Sequence, residues 1–246
     1  MSALQTLSAP TNLREWREVT GHSMKSADAI HGGLSSPGKM PCHSYGLPAA
    51  ECNVGSKLRA SSTKERPTVC GSCYAMKGNY VWRDVQAAQY RRLATVREAM
   101  QHADAREAWV DAMVASIGWR SRDSRVFRWH DSGDLQSVEH LGLICEIADR
   151  LPWVTFWIPT RERAIVRDWV TENGPLPANL TVRESAALVG FFPKLSETHQ
   201  HSAVARKGQE IPTGAHACPA YKQEGECKSC RACWSTDVPL VVYPLH

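Results

Sequence analysis

Three short apolar runs, RVFRWHD (125–131), WVTFWIP (153–159) and NLTVRES (179–185), are separated by stretches with helical periodicity. This alternation constrains the fold more than anything else in the chain, because strands spaced by helices build βαβ units and so a parallel sheet. Val85, Ala88, Leu93, Val96, Ala99 and Met100 mark one face of a helix over 84–102. Asp104 is placed to cap a second helix, with Ala105, Ala108, Trp109, Ala112 and Met113 inward. Ser137 caps a third, whose face is Leu141, Ile144, Cys145, Ala148 and Leu151, and Thr160 caps a fourth running through Val170. A last apolar strand is expected over 238–243.

The chain has 246 residues, enough for one α/β domain with an extension. Residues 1–38 read as a polar N-terminal extension, and 39–246 as a single cysteine-rich α/β domain. The hydrophobic share of 43% excludes global disorder. No apolar run is long enough to span a membrane, and the N-terminus lacks the pattern of a secretory leader. The expected location is therefore a reducing cytoplasm, where clustered cysteines are metal ligands or catalysts more often than disulfides. A net charge of +4 permits nucleic-acid contact without predicting it.

In parallel α/β folds the ligand site lies beyond the carboxyl ends of the strands. Three such ends are polar here. The first carries Arg128, His130, Asp131 and Asp134, the second Thr160, Arg161 and Arg163, the third Arg183, Glu184 and Ser185. Any one of these alone reads as an ordinary cap or ion pair; as a set they suggest one mouth. Arg128, Arg161 and Arg183, with Glu184, are candidates to hold substrate, since a guanidinium fork grips carboxylate or phosphate. His130, Asp131 and Asp134 are the candidate catalytic groups. Neighbours on a strand face opposite ways, but Gly133 lets the chain turn after His130 and Asp131. No Walker A loop, G-x-G-x-x-G fingerprint or G-x-S-x-G elbow is present.

The cysteines form two groups. Cys52 precedes Cys70-Gly-Ser-Cys73, and Cys218 precedes Cys227-Lys-Ser-Cys230-Arg-Ala-Cys233. A two-residue gap lets one turn aim two sulfurs inward. The triple C-x2-C-x2-C is the run by which ferredoxins supply three thiolates to a 4Fe–4S cluster, so iron–sulfur is favoured. Zinc is the alternative if Cys70 and Cys73 join two tail cysteines. Two arrangements stay open: two clusters, or a single one drawing on both groups. Cys145 reads as core, Cys42 as a bystander, and the pair His199 and His201 as a solvated loop.

The stretches KMPCHSYGLPAAECNVGSKL, VCGSCYAMKGNY, FRWHDSGDLQS, FWIPTRE, LTVRESA and HACPAYKQEGECKSCRACW resemble the phage-type gene product 88 domain family from residue 39 to the end. A weaker similarity reaches radical S-adenosylmethionine proteins, in which an aromatic residue often follows the last cysteine of the triad, as Tyr74 follows Cys73. That similarity implies a partial or distorted parallel (βα) barrel, an open-site 4Fe–4S cluster on Cys52, Cys70 and Cys73, and S-adenosylmethionine as cofactor. The usual C-x3-C-x2-C is absent. Two functions follow as expectations: a divergent radical enzyme with its site at the strand ends, or a non-catalytic iron–sulfur or zinc protein that binds host machinery or nucleic acid. In the second, Lys222, Lys228 and Arg231 would meet a backbone and Trp234 would stack on a base.

Overall fold

In the computed structural model, which describes residues 6–195 and 199–245, seven strands form one sheet. They are β1 (Ser44–Tyr45), β2 (Val126–Trp129), β3 (Thr155–Thr160), β4 (Leu180–Ser185), β5 (Gln200–Ala205), β6 (His216–Ala217) and β7 (Leu240–Pro244). Their order is β1-β2-β3-β4-β5-β7-β6, and every pairing is parallel. The first five therefore lie side by side in chain order. Right-handed crossovers that always advance the same way put their helices on one face. The sheet is wound in one direction but is not closed, with β1 and β6 as its outer strands.

The helices are α1 (Leu13–Thr20), α2 (Met24–His31), α3 (Asn53–Ala60), α4 (Arg83–Gln101), α5 (Ala103–Ser121), α6 (Val138–Arg150) and α7 (Arg163–Asn173). Among the described residues no helix is long and apolar enough to cross a membrane. Alternation along the strands separates two cores. Phe127, Trp129, Phe156, Ile158, Leu180 and Val182 face the helices and join Leu93 and Val96 of α4, Trp109 and Met113 of α5, and Leu141 and Ile144 of α6. Val126 and Trp157 face the other way, where Cys42 and Trp234 cover them. Thr181 donates its hydroxyl to the Trp234 carbonyl at 2.8 Å, and the Trp234 indole donates to the Phe127 carbonyl at 2.9 Å. The cysteine-rich tail is thus the lid of the sheet's second face, so the strands are covered on both sides, as parallel strands require.

Several local expectations hold. Ser137 caps α6 by accepting the His140 amide at 3.2 Å, and Cys145 lies buried on the apolar stripe of that helix. Others need correction. Asp104 sits inside the first turn of α5, whose cap position is His102. Thr160 ends β3 instead of capping α7; its hydroxyl accepts the Glu162 amide, and Glu162 holds the cap position. His201 belongs to β5, not to a loop. β1 and β6 are two residues long, too short to leave a periodic signature.

The first 38 residues are more than a polar extension. They carry α1 and α2, and both pack on α5. Trp16 is the anchor of α1: its indole donates to the Ala115 carbonyl at 2.8 Å, and a Cβ on Gly118 would meet its ring at 2.4 Å. Below α2, Ala27 packs on Ala112 and Ala115. His31, fully buried, accepts the Gly33 amide on Nδ1 and shares a 2.8 Å hydrogen bond with Ser116 through Nε2.

Burial, together with Arg120 and Arg92, lowers the His31 pKa from 6.5 to about 3; burial alone does the same for His140. Above pH 6.5 both rings are neutral in either state and cost nothing. Below it the unfolded chain takes up protons that the folded chain refuses, so stability falls with pH across 6.5 to about 3. At about pH 5 each histidine is expected to have removed about 2 kcal/mol, read as an earlier urea midpoint. His31→Gln should flatten that pH dependence; an unchanged slope would mean that His31 titrates normally in the folded protein.

Candidate functional site

Polar groups do converge at the carboxyl ends of β2, β3 and β4, but they are held mainly by one another. After Trp129, His130 takes a left-handed backbone with φ of 56°, an uncommon conformation for a residue with a side chain. The turn sends His130 and Asp131 to different neighbours. His130 is buried with both ring nitrogens unpartnered, its ring 5.3 Å from that of His140. Burial, then His140 and Arg128, holds its pKa well below the usual value, so the ring is neutral.

Asp131 instead accepts the Ser44 hydroxyl at 2.8 Å and the Tyr80 hydroxyl at 3.1 Å, while its carbonyl accepts Tyr74. A Cβ on Gly46 would stand 2.5 Å from the Asp131 carboxylate, so only glycine lets β1 pass that closely. The expected acid–base pairing of His130 with Asp131 is not formed.

Asp134 ties β2 to β3. Its carboxylate accepts the Leu135 amide at 2.8 Å, the Thr160 hydroxyl at 2.6 Å and the Arg161 amide at 2.8 Å. Burial raises its pKa to about 6 against those three donors. Glu162, buried beside it, accepts the Val54 amide at 2.8 Å and so fixes the start of α3 to the end of β3.

The arginines have three different jobs. Arg183 is fully buried and spends all five of its N–H donors on backbone carbonyls: Cys233, His201, Val238, Ala232 and Ser235, at 2.6–3.3 Å. It clamps the tail and has nothing left for a substrate. Arg128 stands on the tail-covered face, 4.5 Å from the centre of the Trp157 ring, and donates to the Tyr74 hydroxyl at 3.0 Å. Among the described residues its Nε has no hydrogen-bond partner. Burial opposes its charge, but Tyr74, Asp131 and Tyr243 more than offset that and raise its pKa. Arg161 donates to the Ser185 carbonyl and lies close enough to Cys70 for the two to interact electrostatically. Glu184 is occupied by Arg163 at 3.0 Å.

All nine cysteines are free thiols. Cys52 precedes α3, and Cys70 and Cys73 bracket a 3-10 turn packed on it. The Cys52 and Cys70 sulfurs lie 3.7 Å from the place a Cβ on Gly55 would occupy, so they are at most twice that apart. Burial, then Asp134, Cys73 and Cys70, raises the Cys52 pKa, which puts this set beside the β2–β3 ends. In the tail, Cys218, Cys227, Cys230 and Cys233 form a second set. Burial raises the Cys218 and Cys227 thiols and takes Cys233 to about 11, and neighbouring thiols of the same set add to each shift. Arg128 acts the other way on Cys227 and Cys233, and through Tyr74 it also touches the first segment, so the two sets approach one another across it.

Two tail contacts went unread in the sequence. The Cys230 sulfur is 3.5 Å from His216 Nε2, and the Cys233 sulfur 3.2 Å from the Tyr243 hydroxyl. Cys42 is packed beside Trp157 and Trp234, with its thiol pushed up to about 12 by burial. Among the described residues no three His, Cys, Asp or Glu side chains are gathered tightly enough to hold a single metal ion. Trp234, expected to stack on a base, is buried against Trp157, and Arg231 turns back onto the Lys228 and Cys230 carbonyls.

Residues 16–236 match the family model described as Gene product 88. No curated protein and no solved structure matches the chain.

Proposed function

The chain belongs to the Gene product 88 family, and from that premise we propose that it is an iron–sulfur protein of partial-barrel form, with one thiolate set at the strand ends and a second in the tail. The observation that carries the reading is the division of seven cysteines into Cys52, Cys70 and Cys73 beside Asp134, and Cys218, Cys227, Cys230 and Cys233 beside Arg128. The donor chemistry fits. Arg161 on Cys70, and Arg128 near Cys227 and Cys233, offset the burial that otherwise keeps these thiols protonated. A bound cluster would supply one-electron chemistry, with its potential tuned by hydrogen bonds to sulfur.

The three-cysteine set leaves one coordination position for a small molecule, and its place at the ends of β2 and β3 supports a radical S-adenosylmethionine-like enzyme. In that reading Tyr74 and Arg128 orient whatever stands between the two sets, and Asp134 and Glu162 hold the loops that carry the cysteines. The unpaired thiols also suit a reducing cytoplasm of a host cell.

The test is anaerobic purification followed by iron, sulfide and zinc analysis. Iron with matching sulfide and a broad band near ~400 nm from thiolate-ligated clusters is expected. Added S-adenosylmethionine should then change the EPR spectrum of the reduced protein and yield 5′-deoxyadenosine. Iron without either response removes the enzyme reading. Zinc alone, without colour, makes the cysteines structural staples and leaves a binding protein.

A further inference from the structure

Next to the strand-end cysteines a cavity of ≈ 390 Å³ opens between α3, the segment that follows it and the ends of β3 and β4. Its volume is that of a small-molecule site. Its wall includes the apolar side chains of Leu58, Leu188 and Phe191 and carries three arginines, Arg66, Arg161 and Arg163. Phe191 leaves 55% of its surface exposed, so its ring is free to contact an occupant.

The charges on this wall do not balance. Arg163 is neutralised by Glu184 at 3.0 Å. Arg161 is anchored to the Ser185 carbonyl, and its charge is felt by Cys70, the buried Asp134 and the like charge of Arg163. Arg66 is held by its backbone amide on the Thr63 hydroxyl, and among the described residues its guanidinium has no partner. A cavity whose lining combines an excess of guanidinium with an exposed aromatic ring selects one kind of occupant.

We propose that this cavity binds a small organic anion with a planar apolar body, its phosphate, carboxylate or sulfonate head seated against Arg66 and Arg161 and its body lying between Leu58, Leu188 and Phe191. The head gains charge-assisted hydrogen bonds from a fork that presents two parallel donors. The body gains apolar burial on residues already out of bulk solvent on one side. Recognition uses side chains alone, and of these Arg161 is shared with Cys70 while Arg66 is not.

The probe is 8-anilinonaphthalene-1-sulfonate, which has the required head and body, compared with N-phenyl-1-naphthylamine, which has a similar body without the charge. Fluorescence titration of the full-length protein as isolated should show one saturable site for the sulfonate, preferred about tenfold over the neutral dye. Arg66→Gln, at an exposed position, should weaken sulfonate binding about tenfold with an unchanged thermal midpoint. Leu58→Asp should abolish it, while Arg91→Gln on α4 leaves it intact. Equal binding of the two dyes, no saturable binding, or an affinity unaffected by Arg66→Gln overturns the proposal. Dye binding in a protein that lacks iron would separate this site from the cluster reading; iron without dye binding would do the reverse.

Discussion

Replacing Arg183 with leucine is expected to destabilise the protein by roughly 4 kcal/mol, lowering the thermal midpoint by about 10 °C. The physical reason is that leucine fills much of the space and serves none of the five carbonyls. Cys233, Ala232, Ser235, Val238 and His201 would each keep a buried acceptor without its donor. Four of those carbonyls belong to the tail, so the damage is local before it is global: the segment around Cys230 and Cys233 loosens from β4. Alkylation of the tail cysteines in the metal-free protein should therefore accelerate well below the melting temperature. Arg183→Lys should recover less than half of the loss, because an ammonium has three donors at one point and cannot reach carbonyls on both sides. If Arg183→Leu melted like the parent protein and lost only the binding of a small anion, the clamp role would be wrong and the substrate role expected from the strand-end pattern would be restored.

That contrast shows what the sequence could and could not reveal. Parallel strands, their helices and the polar strand ends were legible because each is written in a local period or in a run of adjacent residues. Arg183 was not, since an arginine at a strand end looks the same whether its fork meets a ligand or a carbonyl fifty residues further on. The partners were supplied by the fold. His130 and Asp131 failed as a pair for a related reason: the left-handed backbone at His130 fixes which neighbour each one meets, and nothing in the letters HD encodes that angle. Trp16 shows the opposite failure. A helix of eight residues spans barely two turns, and nothing in its own pattern names Gly118, about a hundred residues away, as the place where Trp16 docks. The cysteine sets were visible as spacings, whereas His216 and Tyr243 reach the tail sulfurs only through the pairing of β6 with β7.

The two cysteine sets make the sharpest distinction between one cluster and two. Where both sets carry iron independently, Cys70→Ala and Cys230→Ala should each remove about half of the iron and sulfide, because each set would lose a single cluster of the 4Fe–4S kind. A single shared cluster predicts loss of all the iron from either change. The thiols that raise the Cys52 pKa are Cys73 and Cys70, and those that raise Cys227 are Cys218 and Cys230, each from its own set, which supports the first outcome.

The variants should also part in stability. Cys70 lies in a short turn packed on α3, whose position is already fixed by Glu162 on the Val54 amide, so its loss should shift the thermal midpoint by only about 3 °C. Cys230 belongs to a tail with little regular structure of its own, held by Arg183, by Trp234 and by whatever its cysteines bind. If these cysteines bind a cluster as proposed, losing it takes binding free energy directly from folding, and a fall of about 10 °C is expected, on the scale of losing Arg183 itself. Equal, small shifts for both variants would mean that the tail is secured by Arg183 and Trp234 alone. In that case any metal the tail cysteines bind would serve chemistry and contribute little to holding the lid on the sheet.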